Sequence, residues 1–409
     1  MLTDPRDDAV LTGSSLRQRG MRMVIGAGLL VLLAFAALVQ LTALASVRSD
    51  IAGVFLKALI LSSFLAIVPL AVLWFLDRRE RESAWLFAAA LLWGGFIATA
   101  LSLPFNNAFF QLVDAWVAQN PGIAGVLGPD AAAMIAAPIS APIVEEIAKA
   151  LGVLAIFWLG RTEFDSMRDG FVYGAAVGVG FNWSEVALYV AQGYAETGVA
   201  PYGPELGTRY ALFGLGGHAL FTGMFGLCLG FAVETNRRWL RVLAPVIGIV
   251  LAIAAHRLIN SLPLLAALEQ ARTGMPANSQ QAAADAGFLD AFLQGSINEI
   301  VVLLPFFVMT GLALWRSGVW ERRVIREELG SEIGRAVTPG EYEDIVQDRI
   351  LHTRRVGGVQ RGLSSAVVKA QNELAFRKRR VRNDGRDPEH DHLVNRWREE
   401  IRLLRQLSS

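Results

Sequence analysis

Seven residues in the middle of the chain have types and spacings that could do chemistry. The segment APIVEEIAKALGV, residues 141–153, places Glu145, Glu146 and Lys149 inside a long apolar stretch. Lys149 is four residues after Glu145 and three after Glu146, so one side of a helix brings the ammonium to both carboxylates. A buried ion pair accounts for one glutamate but not the second. Two adjacent carboxylates repel, an arrangement that suits general acid–base work. Glu185 follows in FNWSE, with Asn182 and Ser184 beside it. His218 comes after Gly216 and Gly217, with Thr222 one turn later, and His256 and Asn260 stand four apart on one helix face. A lone histidine on an apolar helix is ordinarily a satisfied core residue. Two on adjacent spans, beside helices that carry glutamates, point to function, and they are the only histidines before residue 352.

Two chemistries stay open. In the first, Glu145 or Glu146 takes a proton from water while Lys149 holds the other. His256 and Asn260 then donate to a developing oxyanion, and His218 orients water or protonates a leaving amine. Glu185 binds His218 or shares the water. In the second, Glu146, Glu185, His218 and His256 supply a zinc set with water in the open position. The spacing is not H-E-x-x-H, so the sequence does not choose between them. No serine or cysteine forms a dyad with a histidine, since Cys228 lies ten residues beyond His218. This single cysteine also excludes a disulfide within the chain.

The elements that must position these residues are membrane helices. The chain of 409 residues is 53% hydrophobic and only 18% charged, against about 25% charged in ordinary soluble domains. Apolar runs of about twenty residues, enough to cross a bilayer, separate short charged loops. Eight spans are expected: 23–45, 51–76, 84–103, 131–159, 170–191, 210–233, 240–262 and 297–315. The fold class is therefore all-α, a polytopic membrane protein with a helical tail. Residues 1–22 form an N-terminal segment, 23–316 the transmembrane domain with its catalytic core at 131–262, and 317–409 the tail. Arginines crowd alternate connections (Arg17 to Arg22, Arg78 to Arg81, Arg161 and Arg168, Arg237 to Arg241). This bias places both termini in the cytoplasm. At 1.5 Å per residue, Glu185 and His218 lie about 10–15 Å from the outer ends of their spans and His256 about 9 Å. One wet cavity can serve them all, with Arg209 and Arg257 to neutralise it.

Gly170, Gly174 and Gly178 recur every fourth residue, a face for close helix approach. Residues 104–130 read as a surface-lying segment or a loop, and 263–296 as a solvated loop or short helix. In the tail, Thr338, Pro339 and Glu341 form a capping-box signature. RKRRVR at 377–382 reads as a solvated or headgroup-facing run rather than a nucleic-acid site. Leu393, Trp397, Ile401 and Leu404 have helical spacing, which gives an amphipathic terminal helix.

Four of these pieces resemble the motif set of the PrsW family of intramembrane proteases, related to the CAAX-protease superfamily. EEIAK matches E-E-x-x-K at Glu145, Glu146 and Lys149, and FNWSE matches F-x-x-x-E at Phe181 and Glu185. HALFT is similar to the third motif at His218 and Thr222, and HRLIN to the fourth at His256 and Asn260. The similarity covers about residues 136–262. Family members often have Asn after the second-motif glutamate, where this chain has Val186, and Asn182 could substitute. The resemblance implies a bacterial inner-membrane peptidase that acts on membrane-anchored proteins such as anti-sigma factors. The implied partners are that substrate, the lipid bilayer and a cytoplasmic protein met through the tail, with no nucleic acid. Intramembrane Glu, His and Lys also serve proton relays, so a proton-coupled transporter or channel is the alternative. It lacks the internal repeat that such proteins often show.

Overall fold

The computed structural model describes residues 49–77, 84–160, 164, 166–273, 287–347 and 361–407. The first expected span, 23–45, lies outside them. Helix α1 (Ser49–Leu76) is followed by α2 (Ala84–Leu92), which runs through one π-helical stretch (Trp93–Ala98) into α3 (Thr99–Gln119). Short helices α4 (Pro121–Leu127) and α5 (Ala131–Ala136) lead to α6 (Ser140–Leu159). The fourth expected span is thus broken. Pro138 cannot donate the N–H that would carry α5 onward, and α6 restarts at Ser140 with Pro142 in its first turn, where no N–H is needed.

Next come α7 (Met167–Thr197), α8 (Tyr202–Arg209), a 3-10 turn (Ala211–Gly214), α9 (Gly217–Glu234) and α10 (Arg238–Asn260). Helix α11 (Leu262–Thr273) precedes α12 (Phe288–Gly330), and α13 (Pro339–Val346), α14 (Arg361–Asn383) and α15 (His392–Gln406) complete the tail. No strand forms among the described residues, which carry a single isolated bridge. The chain is an all-helical polytopic membrane protein. Five described helices are long and apolar enough to cross a membrane: Asp50–Leu76, Ala84–Gln119, Ala211–Glu234, Arg238–Asn260 and Phe288–Gly330. Helices α6 and α7 are not among the five, because α6 holds three charged residues and α7 is diluted by glycine, Asn182 and Glu185. Even so, α6 turns Ile143, Ile147, Leu151, Leu154 and Trp158 outward, exposed, and its carboxylates inward.

Helix α7 is the central element. A capping box fixes its start: Asp169 N donates to Ser166 Oγ, and Ser166 N donates to Asp169 Oδ2. It is buried almost without a break from Asp169 to Ala187. The expected glycine face packs on α9. A Cβ at Gly170 would stand 2.0 Å from Gly226 O, at Gly174 2.4 Å from Thr222 O, and at Gly178 2.1 Å from His218 O. On another side, Gly94 of the π-helical stretch meets the backbone of Val177 just as closely. Where apolar burial between helices gains little, such backbone approach supplies the packing.

The segment 104–130 is helical, not a loop. Helix α3 continues through Pro104 to Gln119, and its end joins α4, α5 and α11 in a small cluster around Val117, Leu127, Ala131, Met134 and Ala267. The stretch after residue 262 opens with the short helix α11.

In the tail the Thr338 capping box forms as expected. Helix α15 buries Leu393 and Ile401, with Trp397 and Leu404 partly buried against the same core. The basic run differs from expectation. Arg377 makes a two-pronged pair with Asp391 at 3.0 and 2.6 Å, and Arg379 pairs with Glu327. Arg382 lies 3.0 Å from Glu328. Lys378 is fully buried against Glu332, which Arg398 also holds at 2.7 and 3.0 Å. These cations face the tail's own carboxylates, with Arg379 and Arg382 still partly exposed, while α14 packs on α12 through an apolar cluster that includes Val324, Ile325, Leu329, Val367, Val368 and Phe376.

Gly178→Ala is expected to force α7 from α9 at the His218 carbonyl. The cost should be about 1–3 kcal/mol, as for other overpacked sites, read as a lower melting temperature in nanodiscs.

Candidate active site

Lys149 lies at the centre and is fully buried. Its Nζ is 2.6 Å from Glu146 Oε1, 3.7 Å from Glu145 Oε2 and 2.8 Å from His218 Nδ1. It also sits 4.1 Å from the ring centre of Phe181, a cation–π contact strengthened by the dry surroundings. A buried ammonium is tolerable only with such partners. Its donation to Nδ1 leaves the His218 proton on Nε2, which donates to Glu185 Oε2 at 2.8 Å. Arg209 Nη1 donates to the same oxygen at 2.6 Å. Asn182 Nδ2 in turn donates to the Arg209 carbonyl.

The two adjacent glutamates have different surroundings. Glu146 is saturated: Oε1 faces Lys149 and His256 Nδ1 at 3.1 Å, and Oε2 accepts from Thr222 Oγ1 at 3.0 Å. Glu145 accepts from Asn106 Nδ2 at 3.1 Å through Oε1, and Ser140 Oγ donates to Asn106 Oδ1. Its Oε2 is buried without a hydrogen-bond partner. His256 Nε2, 4.0 Å from that oxygen, accepts from Asn260 Nδ2 at 3.2 Å. Asn260 Nδ2 also reaches the Ala137 carbonyl, at the break between α5 and α6.

Neighbouring elements hold this geometry. Trp93 Nε1 donates to Ala148 O at 3.0 Å, which ties α6 to the π-helical stretch that rests on α7. The His256 ring stacks on Phe221 with centres 5.0 Å apart. The rings of His218 and His256 meet edge to face, also at 5.0 Å.

All seven residues expected from the sequence converge. Of the two neutralising arginines, Arg209 is in place, whereas Arg257 is exposed and points away. Asn106 was not foreseen: it lies in the segment read as surface or loop, where a polar amide carries no signal. Ligand atoms of Glu145, His218 and His256 lie within 4.8 Å of one another, and this is the set whose types fit zinc. Glu145 Oε2 has no hydrogen-bond partner and lies 4.0 Å from His256 Nε2; that Nε2 accepts from Asn260, and both His218 nitrogens are engaged, by Lys149 and by Glu185. Glu146 and Glu185, the carboxylates expected to bind metal, already have partners on their oxygens.

Residues 82–279, just under half of the chain, match the family model of the PrsW family intramembrane metalloproteases. Over that region the chain is similar to the PrsW type. Over 105 residues the chain is 35% identical to Protease PrsW of Geobacillus kaustophilus (strain HTA426), across 25% of this chain and 42% of that protein. The chain therefore spans under half the length of that curated relative. No solved structure matches the chain. All seven converging residues, with Asn106 and Arg209, fall inside the PrsW-type region.

Thr222→Val removes one donor from a buried, charged carboxylate and keeps the shape. A loss of about 1–3 kcal/mol is expected, read as an earlier thermal transition in nanodiscs.

Proposed function

We propose that this chain is an intramembrane or membrane-proximal endopeptidase that hydrolyses peptide bonds of membrane-anchored protein substrates. The observation that carries the reading is the split between the two glutamates. Glu146 is pinned by three donors, while Glu145 keeps one buried oxygen free beside His256, Lys149 and Asn260. A general base must accept a proton on an uncommitted lone pair, and Glu145 Oε2 offers one.

In the proposed cycle, water donates a proton to Glu145 Oε2 as its oxygen attacks the scissile carbonyl carbon. The oxyanion accepts from the Asn260 amide, a contact worth about 3–4 kcal/mol in comparable sites. Glu145 then returns the proton to the leaving nitrogen as the C–N bond breaks, so one water is consumed and each chain end gains its part of it. Lys149, held by Glu146 and His218, supplies fixed positive charge beside the developing anion. Glu185 and Arg209 keep the His218 proton on Nε2, so that Nδ1 stays an acceptor for Lys149. Zinc, when bound, would be held by Glu145, His218 and His256 in place of the Lys149 contact to His218 and the Asn260 contact to His256, and would activate the water as a Lewis acid. The arginine bias of the loops supports cytoplasmic termini, and the resemblance to the PrsW family implies a bacterial inner-membrane setting. In that setting the catalytic core is 131–262, and the tail from residue 317 is free to meet a cytoplasmic partner.

Purified protein should cleave single-span membrane peptides, and Glu145→Gln should lower that rate by about 10²-fold or more. A wild-type rate in both Glu145→Gln and Asn260→Ala would sink this mechanism. Proton uptake by liposomes without any cleavage would favour a transporter instead. For the metal, elemental analysis is expected to find about one zinc per chain. Removal by chelator should lower the melting temperature of the wild type but not of His256→Ala, as expected when a ligand that stabilises the folded state is lost.

A further inference from the structure

Glu299 lies on α12, outside the matched region and outside every motif, yet it is only 8% exposed. Its Oε2 has no hydrogen-bond partner. The carboxyl rests directly on Gly216: a Cβ built there would stand 2.0 Å from Oε2, 2.5 Å from Cδ and 2.9 Å from Oε1. Gly216 is the N-cap of α9, the helix that carries His218, and it offers no capping side chain. The first N–H groups of a helix lack internal partners and carry partial positive charge. Glu299 thus brings a carboxyl from another helix to the place where a cap would stand.

Two more contacts from α12 grip the same segment. Ser296 Oγ accepts from Leu212 N at 3.0 Å. Gly295 packs against Ala211 and Thr208, its Cβ position 3.1 and 3.4 Å away. Between them the chain makes a left-handed turn through Leu212 (φ 48°), Phe213 (φ 59°) and Gly214 (φ 73°). Such a backbone is strained at each non-glycine residue and persists only where its surroundings impose it. This turn joins Arg209 to His218, and both of them converge on Glu185 Oε2.

We propose that Glu299 is a positioning residue for the reaction centre: its carboxyl, seated on Gly216, fixes the start of α9 and so holds His218 between Lys149 and Glu185. The kinetic consequence rests on the peptidase reading; the effect on His218 does not. Gly216 has φ −77°, open to any residue, and the three atoms nearest a Cβ there all belong to Glu299. Gly216→Ala therefore pushes on this carboxyl.

The test compares full-length wild type, Glu299→Ala, Glu299→Gln, Gly216→Ala and the Gly216→Ala/Glu299→Ala double variant in nanodiscs. The first readout is NMR of ¹⁵N-labelled histidine, with the His218 signals assigned by their loss in His218→Gln. Glu299→Ala and Gly216→Ala are each expected to shift the His218 signals and leave those of His390 and His392 in place. In peptide cleavage both should lose about tenfold or more in kcat, as for residues that orient a site from behind, with KM unchanged. Glu299→Gln should keep most of the wild-type behaviour. The double variant should lose less than the sum of the singles, because the added methyl occupies space the carboxyl has left. Unmoved His218 signals in Glu299→Ala, or strictly additive losses in the double variant, would overturn the proposal. Should Glu299→Ala not fold, the contrast between Gly216→Ala and Glu299→Gln carries the same decision. If wild type cleaves nothing, the peptidase reading fails, while the histidine signals still decide the role of Glu299.

Discussion

A single buried ammonium organises the centre of this protein. Lys149 has no access to solvent, so its charge must be balanced by groups within reach. Those groups come from two helices: Glu145 and Glu146 from its own turn, and His218 from α9. The need to satisfy one cation therefore fixes the spacing and rotation of α6 against α9. It also selects the state of His218, which must present a lone pair to Lys149 and its proton to Glu185. Arg209 then completes the chain of charges. The series of Glu146 anion, Lys149 cation, neutral His218, Glu185 anion and Arg209 cation lets five polar groups share a low-dielectric interior.

Such a network needs helices closer together than ordinary side chains allow. The glycines of α7 remove the Cβ atoms that would otherwise meet the carbonyls of α9, and Gly94 does the same toward α7 from the π-helical stretch. The helices richest in small and polar residues are consequently innermost, while α1, α10 and α12 turn large apolar side chains outward. Lipid contact and chemistry thus fall on different faces or different helices, and α6 and α10 carry both. In the tail a second buried lysine, Lys378, is balanced by Glu332, which Arg398 also holds, and this turns part of a basic run into internal scaffolding.

Much of this was legible in the residues themselves. The polar positions stood out because ionisable side chains are costly in an apolar run. The four-residue glycine spacing, the Thr338 cap and the amphipathic final helix follow from local rules, and each took the expected form. Local rules failed where tertiary contact overrides them. The segment 104–130 reads as surface because aromatic and polar residues mix there, yet α3 stays helical and delivers Asn106 to Glu145. The run 131–159 reads as one span because its hydropathy is continuous, but Pro138 interrupts its backbone.

The sequence by itself determined which helices carry charge, which residues share a face, and that Glu145, Glu146, Lys149, Glu185, His218, His256 and Asn260 form one set. Periodicity fixes such relations within a helix, because a residue's direction follows from its number. What faces that helix depends on how neighbouring helices pack, and no period encodes that. The tertiary structure therefore decided that Glu146 is saturated while Glu145 keeps a free oxygen. It also decided that Arg209 and not Arg257 joins the network, and that Glu299 reaches across from α12 to the first turn of the His218 helix.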